Sequence, residues 1–151
     1  MTYSNAHFGL PDPVTQSEFY ADIPMKRLFA WVIDVIIVFT ISFFISVFTL
    51  GLLFLLFGFL SLAIGFIYRT VTLANGSATL GMRMMGIEIR RASGERLDLA
   101  SAALHTIGYQ LSMAFILVQI GSIVLMLTSA RAQGLSDHIL GTAAINRPAR
   151  F

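Results

Sequence analysis

Two long apolar segments without a charged residue dominate the pattern of the chain. Asp34 and Arg69 are separated by 34 uncharged positions, and Asp98 and Arg131 by 32. A membrane-spanning helix needs only about 20 apolar residues, so both segments are long enough to enter a bilayer. The pattern predicts an all-α integral membrane protein, built as a small bundle of transmembrane helices.

The first apolar segment is too long for one crossing. Residues 28–69 in a single helix would extend to about twice the ~30 Å thickness of the hydrocarbon layer. Thr49, Leu50 and Gly51 lie at its middle, and glycine readily adopts the backbone conformations of a tight turn. The segment therefore predicts a hairpin of two spans, at about 28–48 and 52–70.

The second apolar segment, residues 99–130, is too long for one upright helix and too short for two full spans. His105, Gln110 and Gln119 interrupt it, which suits two short helices. A chain that doubles back keeps all lysines and arginines on one side, as the positive-inside rule favours. This indicates four membrane segments with both termini cytoplasmic, and a single crossing, giving three, is the alternative.

The remaining segments are polar. Residues 1–25 predict a cytoplasmic tail, since they lack the basic start and apolar stretch of a secretory signal. Residues 26–146 form the predicted transmembrane domain, followed by a short tail, 147–151. Within the domain, the alternation over 86–90 and the Ser93-Gly94 turn predict a small cytoplasmic β-hairpin-like segment, and 141–146 a second short strand.

Composition and charge agree with this class of protein. Hydrophobic residues make up 56% of the chain and charged residues 12%, whereas a soluble domain has about 25% charged residues. We therefore expect the lipid bilayer as the main partner and no nucleic acid. The chain has no cysteine and no nucleotide-binding or hydrolase motif, so we expect no enzyme activity, cofactor or metal.

Asp34 is the most informative residue, because a carboxylate inside a span costs roughly 2.5–3.5 kcal/mol unless it is paired. Arg27 lies two helical turns earlier on the same face. Arg69 lies on the other arm of the hairpin at a depth that differs by about 4.5 Å, which an arginine side chain can bridge. Asp34 is either a clamp between helices or a carboxylate in a cation or proton path.

Asp137 follows the second apolar segment in a stretch bounded by glycines, Gln133-Gly-Leu-Ser-Asp-His-Ile-Leu-Gly-Thr. One interpretation is that Ser136 or Asp137 caps a short helix. The other is a charge cluster at the cytoplasmic face with Arg27, Arg69 or Arg83. The candidate charge network is Arg27, Asp34, Arg69 and Asp137.

These features together resemble the RDD family of bacterial membrane proteins, named for its Arg, Asp and Asp. The resemblance covers residues 24–146. Arg27, Asp34 and Asp137 match the three name-giving positions, and Thr-Leu-Gly-Met-Arg-Met-Met-Gly-Ile, beginning at Thr79, resembles the family's pattern. His105 is a departure, since many members carry an arginine there, and this puts a charge network through that position in doubt.

The resemblance implies a multi-pass protein of the bacterial inner membrane, with transport of an ion or small solute as the suggested activity and sodium/proton exchange for some members. A non-catalytic accessory or assembly subunit of a larger membrane complex is the alternative. A chain of 16.6 kDa with two secure spans can hardly enclose a path alone. Transport would therefore need a homo-oligomer or a larger membrane-protein complex.

Overall fold

The structure is a computed structural model that describes residues 9–147, so the ends of both predicted tails, 1–8 and 148–151, lie outside it. A long helical hairpin forms its frame. Helix α1 covers Ile23–Phe48 and α2 covers Phe57–Gly76. The turn lies where the sequence predicts it, because Leu50 and Gly51 adopt positive φ angles of 54° and 84°. A 3-10 helix, Leu52–Leu56, leads into α2.

Both arms of the hairpin are long and apolar enough to cross a membrane. The candidate spans are Ser17–Phe48 and Leu52–Gly76. Large apolar side chains such as Phe44, Phe48 and Phe59 are exposed along them. A water-soluble fold would bury these side chains, whereas a helix in lipid presents them to the hydrocarbon.

The second apolar segment forms two short helices, as predicted. Helix α4 covers Leu99–Ala114 and α5 covers Ile116–Thr128, and their axes are bent by 118° at Phe115. Phe115 has an extended backbone and interrupts the helix. Such a bend is typical of a broken span or a re-entrant loop. Here the chain segments before α4 and after α5 lie together, because a strand that precedes α4 is hydrogen-bonded to a strand that follows α5.

These two strands form a small antiparallel sheet. Strand β1 covers Ile87–Arg91 and β2 covers Thr142–Asn146, with Ile89 opposite Ala144. The sequence predicts both strands but not their pairing, and expects a local hairpin around Ser93-Gly94. Locally, β1 makes only an isolated bridge to the chain after that turn. Its main partner is β2, because the folded-back α4–α5 pair returns the chain to the same place.

Two short helices and the N-terminal segment complete this region. Helix α3 covers Leu80–Met84, and α6 covers Leu135–Leu140. Tyr20, in a 3-10 helix at Ser17–Tyr20, packs with Leu10 and residues of β2. We call residues 9–22, 77–98 and 129–147 the polar end, which lies opposite the turn of the α1–α2 hairpin.

The buried apolar core lies at the polar end and in the adjoining parts of the long helices. Its largest fully buried side chains come from the start of α1, the end of α2 and strand β1; they are Ile23, Leu73, Ile87 and Ile89. The turn end of the hairpin contributes no large apolar side chain to this cluster. The polar end therefore holds the helices together, and the site described next lies between it and the middle of the hairpin.

Candidate functional site

Asp34 joins three helices through hydrogen bonds. It is buried in α1, where its Oδ1 accepts hydrogen bonds from the Tyr68 hydroxyl at 2.6 Å and from the Gly81 amide at 3.0 Å. Its Oδ2 accepts a hydrogen bond from the Thr79 hydroxyl at 2.6 Å. Charge-assisted bonds of this kind offset the cost of burying a carboxylate. Asp34 thus ties α1 to α2 and to the start of α3.

The close approach of α3 to α1 requires glycine at position 81. A Cβ atom there would lie 2.2 Å from the carbonyl oxygen of Ala30 and 2.9 Å from Asp34 Oδ1. Thr79 is the N-cap of α3 and also accepts a hydrogen bond from the Met82 amide. The Thr-Leu-Gly sequence at 79–81 therefore serves both to start α3 and to hold Asp34.

Arg69 lies beside Asp34 but is not a hydrogen-bond donor to it. Its Nη1 is 3.8 Å from Asp34 Oδ2, so the expected proximity of Asp34 and Arg69 is present, while the closer partners Tyr68, Thr79 and Gly81 were missed. The guanidinium instead stacks on Tyr109, with 4.0 Å between Cζ and the ring centroid. Its buried Nε has no hydrogen-bond partner.

Arg27, the other candidate partner of Asp34, pairs with Asp137. Its Nη1 lies 2.5 Å from Asp137 Oδ2. Asp137 is fully buried and also accepts hydrogen bonds from the Thr142 hydroxyl at 2.7 Å and the Gly134 amide at 3.1 Å. His105 Nε2 is 3.0 Å from its Oδ1. Asp137 thus connects α1, α4, α6 and β2.

Both interpretations of Asp137 from the sequence hold at once. Its bond to the Gly134 amide is the helix cap of α6, and its pair with Arg27 is the charge cluster. Burial alone would raise the pKa of Asp137, but the charge of Arg27 and the hydrogen bond to His105 outweigh it and hold that pKa well below its usual range. The carboxylate is therefore ionised at neutral pH.

His105 belongs to this network, although the sequence left its role open. Its side chain is almost fully buried in α4, and Nε2 faces Asp137 while Nδ1 has no partner. The position noted as a departure from the family pattern thus supplies a nitrogen to the Asp137 carboxylate. No spacing in the sequence pairs His105 with Asp137, because the fold of α4 over α6 brings them together.

A third buried carboxylate, Glu88, went unnoticed in the sequence. It lies in β1 and forms an ion pair with Arg90 of the same strand. Arg147 Nε is 3.5 Å from Glu88 Oε2, and Arg96 Nη2 is 3.8 Å from it. The alternation over 86–90 was its only signal. Since these partners all belong to the sheet region of the polar end, Glu88 stabilises that region and lies apart from the other two carboxylates.

Two cavities border the Asp34 centre. The polar-end cavity, of about 510 Å³, lies between α1, α4 and α5, and its wall includes Arg27, Trp31, His105 and Ser112. The turn-end cavity, of about 410 Å³, lies between α1, α2 and α4. Its wall is mostly apolar and reaches toward the turn of the hairpin; it includes Val38, Phe39, Phe57, Ser61 and Leu62.

The two cavities share four wall residues, which we call the junction: Asp34, Arg69, Tyr109 and Met113. Asp34 lies 11 residues into α1 and Tyr109 lies 10 residues into α4, about 15–17 Å from the first residue of each helix, and α3 of the polar end reaches as far as Asp34. Trp31 Nε1 donates a hydrogen bond to the Tyr109 hydroxyl at 2.8 Å and steadies this ring beneath Arg69.

The four candidate residues therefore form two centres. Asp34 and Arg69 lie at the junction, and Arg27 and Asp137 lie nearer the polar end. Arg83, a further candidate partner of Asp137, donates hydrogen bonds to the carbonyls of Ala78 and Thr72 instead. Within residues 9–147, His, Asp and Glu side chains form no group of three that could hold a metal ion.

Comparisons with known proteins agree with the charge pattern. The model of the RDD family matches residues 22–141, a range that contains Arg27, Asp34 and Asp137. No curated protein and no solved structure matches the chain.

Proposed function

The chain belongs to the RDD family, and we propose that it is a multi-pass protein of the bacterial inner membrane that transports a small solute through the junction. In this proposal α1 and α2 cross the bilayer, and the α4–α5 pair enters it and returns to the cytoplasmic side. The distribution of positive charge supports this orientation. Lys26 and Arg131 flank the apolar helices at the polar end, together with the arginines of β1, as the positive-inside rule expects of a cytoplasmic face.

One observation carries the transport proposal: two cavities approach each other from opposite halves of the hairpin and meet at Asp34, Arg69, Tyr109 and Met113. Secondary transporters bind their substrates near the bilayer midplane between cavities that open in turn to each side. A barrier must keep two such cavities apart. The stacked side chains of Arg69 and Tyr109 lie where the two cavities meet and can form this barrier. A movement of α4 against the α1–α2 hairpin would connect one cavity with the other.

Sodium/proton exchange through the two name-giving aspartates has less support from the geometry. Asp34 already accepts three hydrogen bonds, and Asp137 is held by Arg27, Thr142 and the Gly134 amide. A cation would have to displace these donors. We therefore assign Asp34 and Asp137 the role of clamps that hold α3 and α6 against α1. The transport path of the solute runs through the two cavities instead.

The turn-end cavity supports transport by an oligomer. Helix α4 ends at Ala114, near the junction, so it covers only the deeper part of the groove between α1 and α2. Phe39 and Leu62 in the cavity wall are largely exposed. A second copy of the chain packed on this side would close the groove and enclose a path that one protomer leaves open toward lipid.

Water access to the two cavities tests this proposal without knowledge of the solute. The natural chain has no cysteine, so a single introduced cysteine is the only thiol. We expect a membrane-impermeant thiol reagent to label Ser112→Cys, in the polar-end cavity, from the cytoplasmic side. We expect the same reagent to label Ser61→Cys, in the turn-end cavity, from the opposite side.

Phe44→Cys is the matched control, because Phe44 is exposed on α1 outside both cavities and would face lipid. It should remain unlabelled from either side. If Ser61→Cys is as unreactive as Phe44→Cys, the turn-end cavity is closed to water and the accessory role replaces transport. Flux of Na⁺ and H⁺ in proteoliposomes that disappears in Asp34→Asn would instead assign cation exchange to Asp34.

A further inference from the structure

Arg69 is a buried arginine whose hydrogen-bonding capacity is largely unused. Its side chain is 8% exposed, its Nε has no partner, and its Nη1 comes no closer than 3.8 Å to the carboxylate of Asp34. A guanidinium carries five N–H donors, and leaving buried donors unpaired is costly. Asp34 does not need Arg69, because the Tyr68, Thr79 and Gly81 donors already occupy both of its oxygens.

We propose that Arg69 binds the carboxylate of an amphipathic organic anion at the junction. The planar fork of a guanidinium matches the two oxygens of a carboxylate and can hold it through parallel hydrogen bonds. Stacking on Tyr109 fixes the plane of the guanidinium, and the Trp31 hydrogen bond fixes Tyr109. The binding group is therefore oriented before a ligand arrives. This inference rests on the proposed function and names the substrate class that would pass the junction.

The polar-end cavity suits the apolar part of such a ligand. Most of its wall between the junction and the polar end is apolar, and it includes Leu28, Trp31, Ile123, Met126 and Leu127. A volume of about 510 Å³ lies within the range of about 300–1,000 Å³ that is usual for sites of small organic molecules. The cavity also reaches Pro24 in the first turn of α1 and Ser136 at the polar end, which gives a route from the cytoplasmic side.

The charge of Asp34 keeps the affinity moderate. Its carboxylate lies beside Arg69 and repels a second carboxylate, while the new hydrogen bonds from Arg69 attract it. A moderate affinity suits a site that must also release its ligand. Because of this repulsion, we expect the site to bind a ligand with one negative charge more tightly than a dianion.

The single tryptophan of the chain permits a direct test of binding. Trp31 lies in the wall of the polar-end cavity and donates a hydrogen bond to Tyr109. Its fluorescence therefore reports on ligands at the junction. The purified full chain in nanodiscs would be titrated with benzoate, and with benzamide and benzylamine as neutral and cationic molecules of similar size. We expect a saturable change with benzoate, and a weaker response or none with the other two.

Substitution of Arg69 separates site binding from partition into the bilayer. Arg69→Gln should weaken benzoate binding by about tenfold or more, because it removes the charged donors. Arg69→Lys keeps the positive charge but lacks the planar fork of the guanidinium. Its affinity for benzoate should therefore lie between those of Arg69→Gln and the natural chain. If Arg69→Gln does not fold, the comparison of Arg69→Lys with the natural chain decides.

Three results would overturn the proposal: equal responses to benzoate and benzylamine, no saturable response to benzoate, or unchanged benzoate affinity in the folded Arg69 variants. Binding is measured here without flux. A chain that binds benzoate through Arg69 while Ser61→Cys stays unlabelled would keep this site and reject the transport path. Labelling of Ser61→Cys without benzoate binding would reject only the carboxylate as substrate class.

Discussion

Arg27 Nη1, near the start of α1, lies 2.5 Å from Asp137 Oδ2 in α6, although the two residues are 110 positions apart in the chain. Asp137 is fully buried and accepts further hydrogen bonds from the Thr142 hydroxyl and the Gly134 amide. It connects the first long helix to the segment that follows the α4–α5 pair. This contact therefore closes the helical bundle at its polar end.

Because Asp137 is ionised in this pair, its replacement should make the free energy of unfolding less dependent on pH in the acidic range. The pKa of Asp137 is lower in the folded chain than the value of about 3.9 expected in the unfolded chain. Its contribution to the free energy of unfolding is thus fully present above about pH 4 and is lost as the pH falls toward the folded pKa. Asp137→Asn should melt well below the natural protein at pH 7, and the difference should shrink below pH 4.

The measurement is the melting temperature in detergent across this pH range. Glu95→Gln is the control, since Glu95 is 71% exposed and its carboxylate meets only surface groups, Arg91 at 3.9 Å and the Ser93 hydroxyl at 3.2 Å. Its melting curve should follow that of the natural protein. A difference between Asp137→Asn and the natural protein that stays constant down to acidic pH would show that the carboxylate charge does not carry the stabilisation.

Gly81→Ala should destabilise the protein by about 1–3 kcal/mol, the usual cost of overpacking. The added methyl would lie 2.2 Å from the carbonyl oxygen of Ala30, and it would push α3 away from Asp34. Gly121→Ala is the matched control, because a Cβ at position 121 of α5 meets no atom within 4 Å. It should be neutral or slightly stabilising. Thermal unfolding that ranks the two variants in the reverse order would contradict the α1–α3 packing.

Asp34 should couple more strongly to Tyr68 than to Arg69. Tyr68 donates a hydrogen bond to Asp34 at 2.6 Å, whereas Arg69 Nη1 stays at 3.8 Å and stacks on Tyr109. A double-mutant cycle of Asp34→Ala with Tyr68→Phe should give a coupling on the order of 1 kcal/mol, near the upper range for polar pairs between membrane helices. The cycle with Arg69→Ala should give less.

Thr40→Val serves as the reference in these cycles, because the Thr40 hydroxyl donates only to the carbonyl of Ile36 in its own helix. The changes in the free energy of unfolding caused by Thr40→Val and Asp34→Ala should simply add, which means that the two positions are not coupled. Unfolding in detergent supplies the free energies. A larger coupling to Arg69 than to Tyr68 would make the ion pair, rather than the hydroxyl bond, the main clamp of Asp34.

The proposed topology predicts the side from which loops are labelled. Ser93 and Ala130 are exposed before α4 and after α5, and Leu50 is 98% exposed in the hairpin turn. In oriented vesicles, an impermeant thiol reagent should label Ser93→Cys and Ala130→Cys from the cytoplasmic side only. Leu50→Cys should be labelled from the opposite side only. Labelling of Ala130→Cys from the side of Leu50 would mean that α4 and α5 cross as one span.

The sequence by itself determined the helical frame, because long apolar segments and backbone-permissive turns are local properties. The length of the first segment and the position of Gly51 were enough to place the α1–α2 hairpin. The polar residues within 99–130 were enough to indicate two short helices, which the structure divides at Phe115. The two short strands were likewise placed within one residue of their observed bounds, the first of them from its local alternation.

Only the tertiary structure decided which groups meet. Depth along a helix can be counted from the sequence, and on that basis Arg69 was placed beside Asp34. The counting could not reveal Thr79 and Gly81, because their approach to Asp34 depends on how α3 packs across α1. His105 and Arg27 reach Asp137 only because α4 and α6 fold over the start of α1. Such contacts depend on the relative positions of several helices, which no single stretch of sequence specifies.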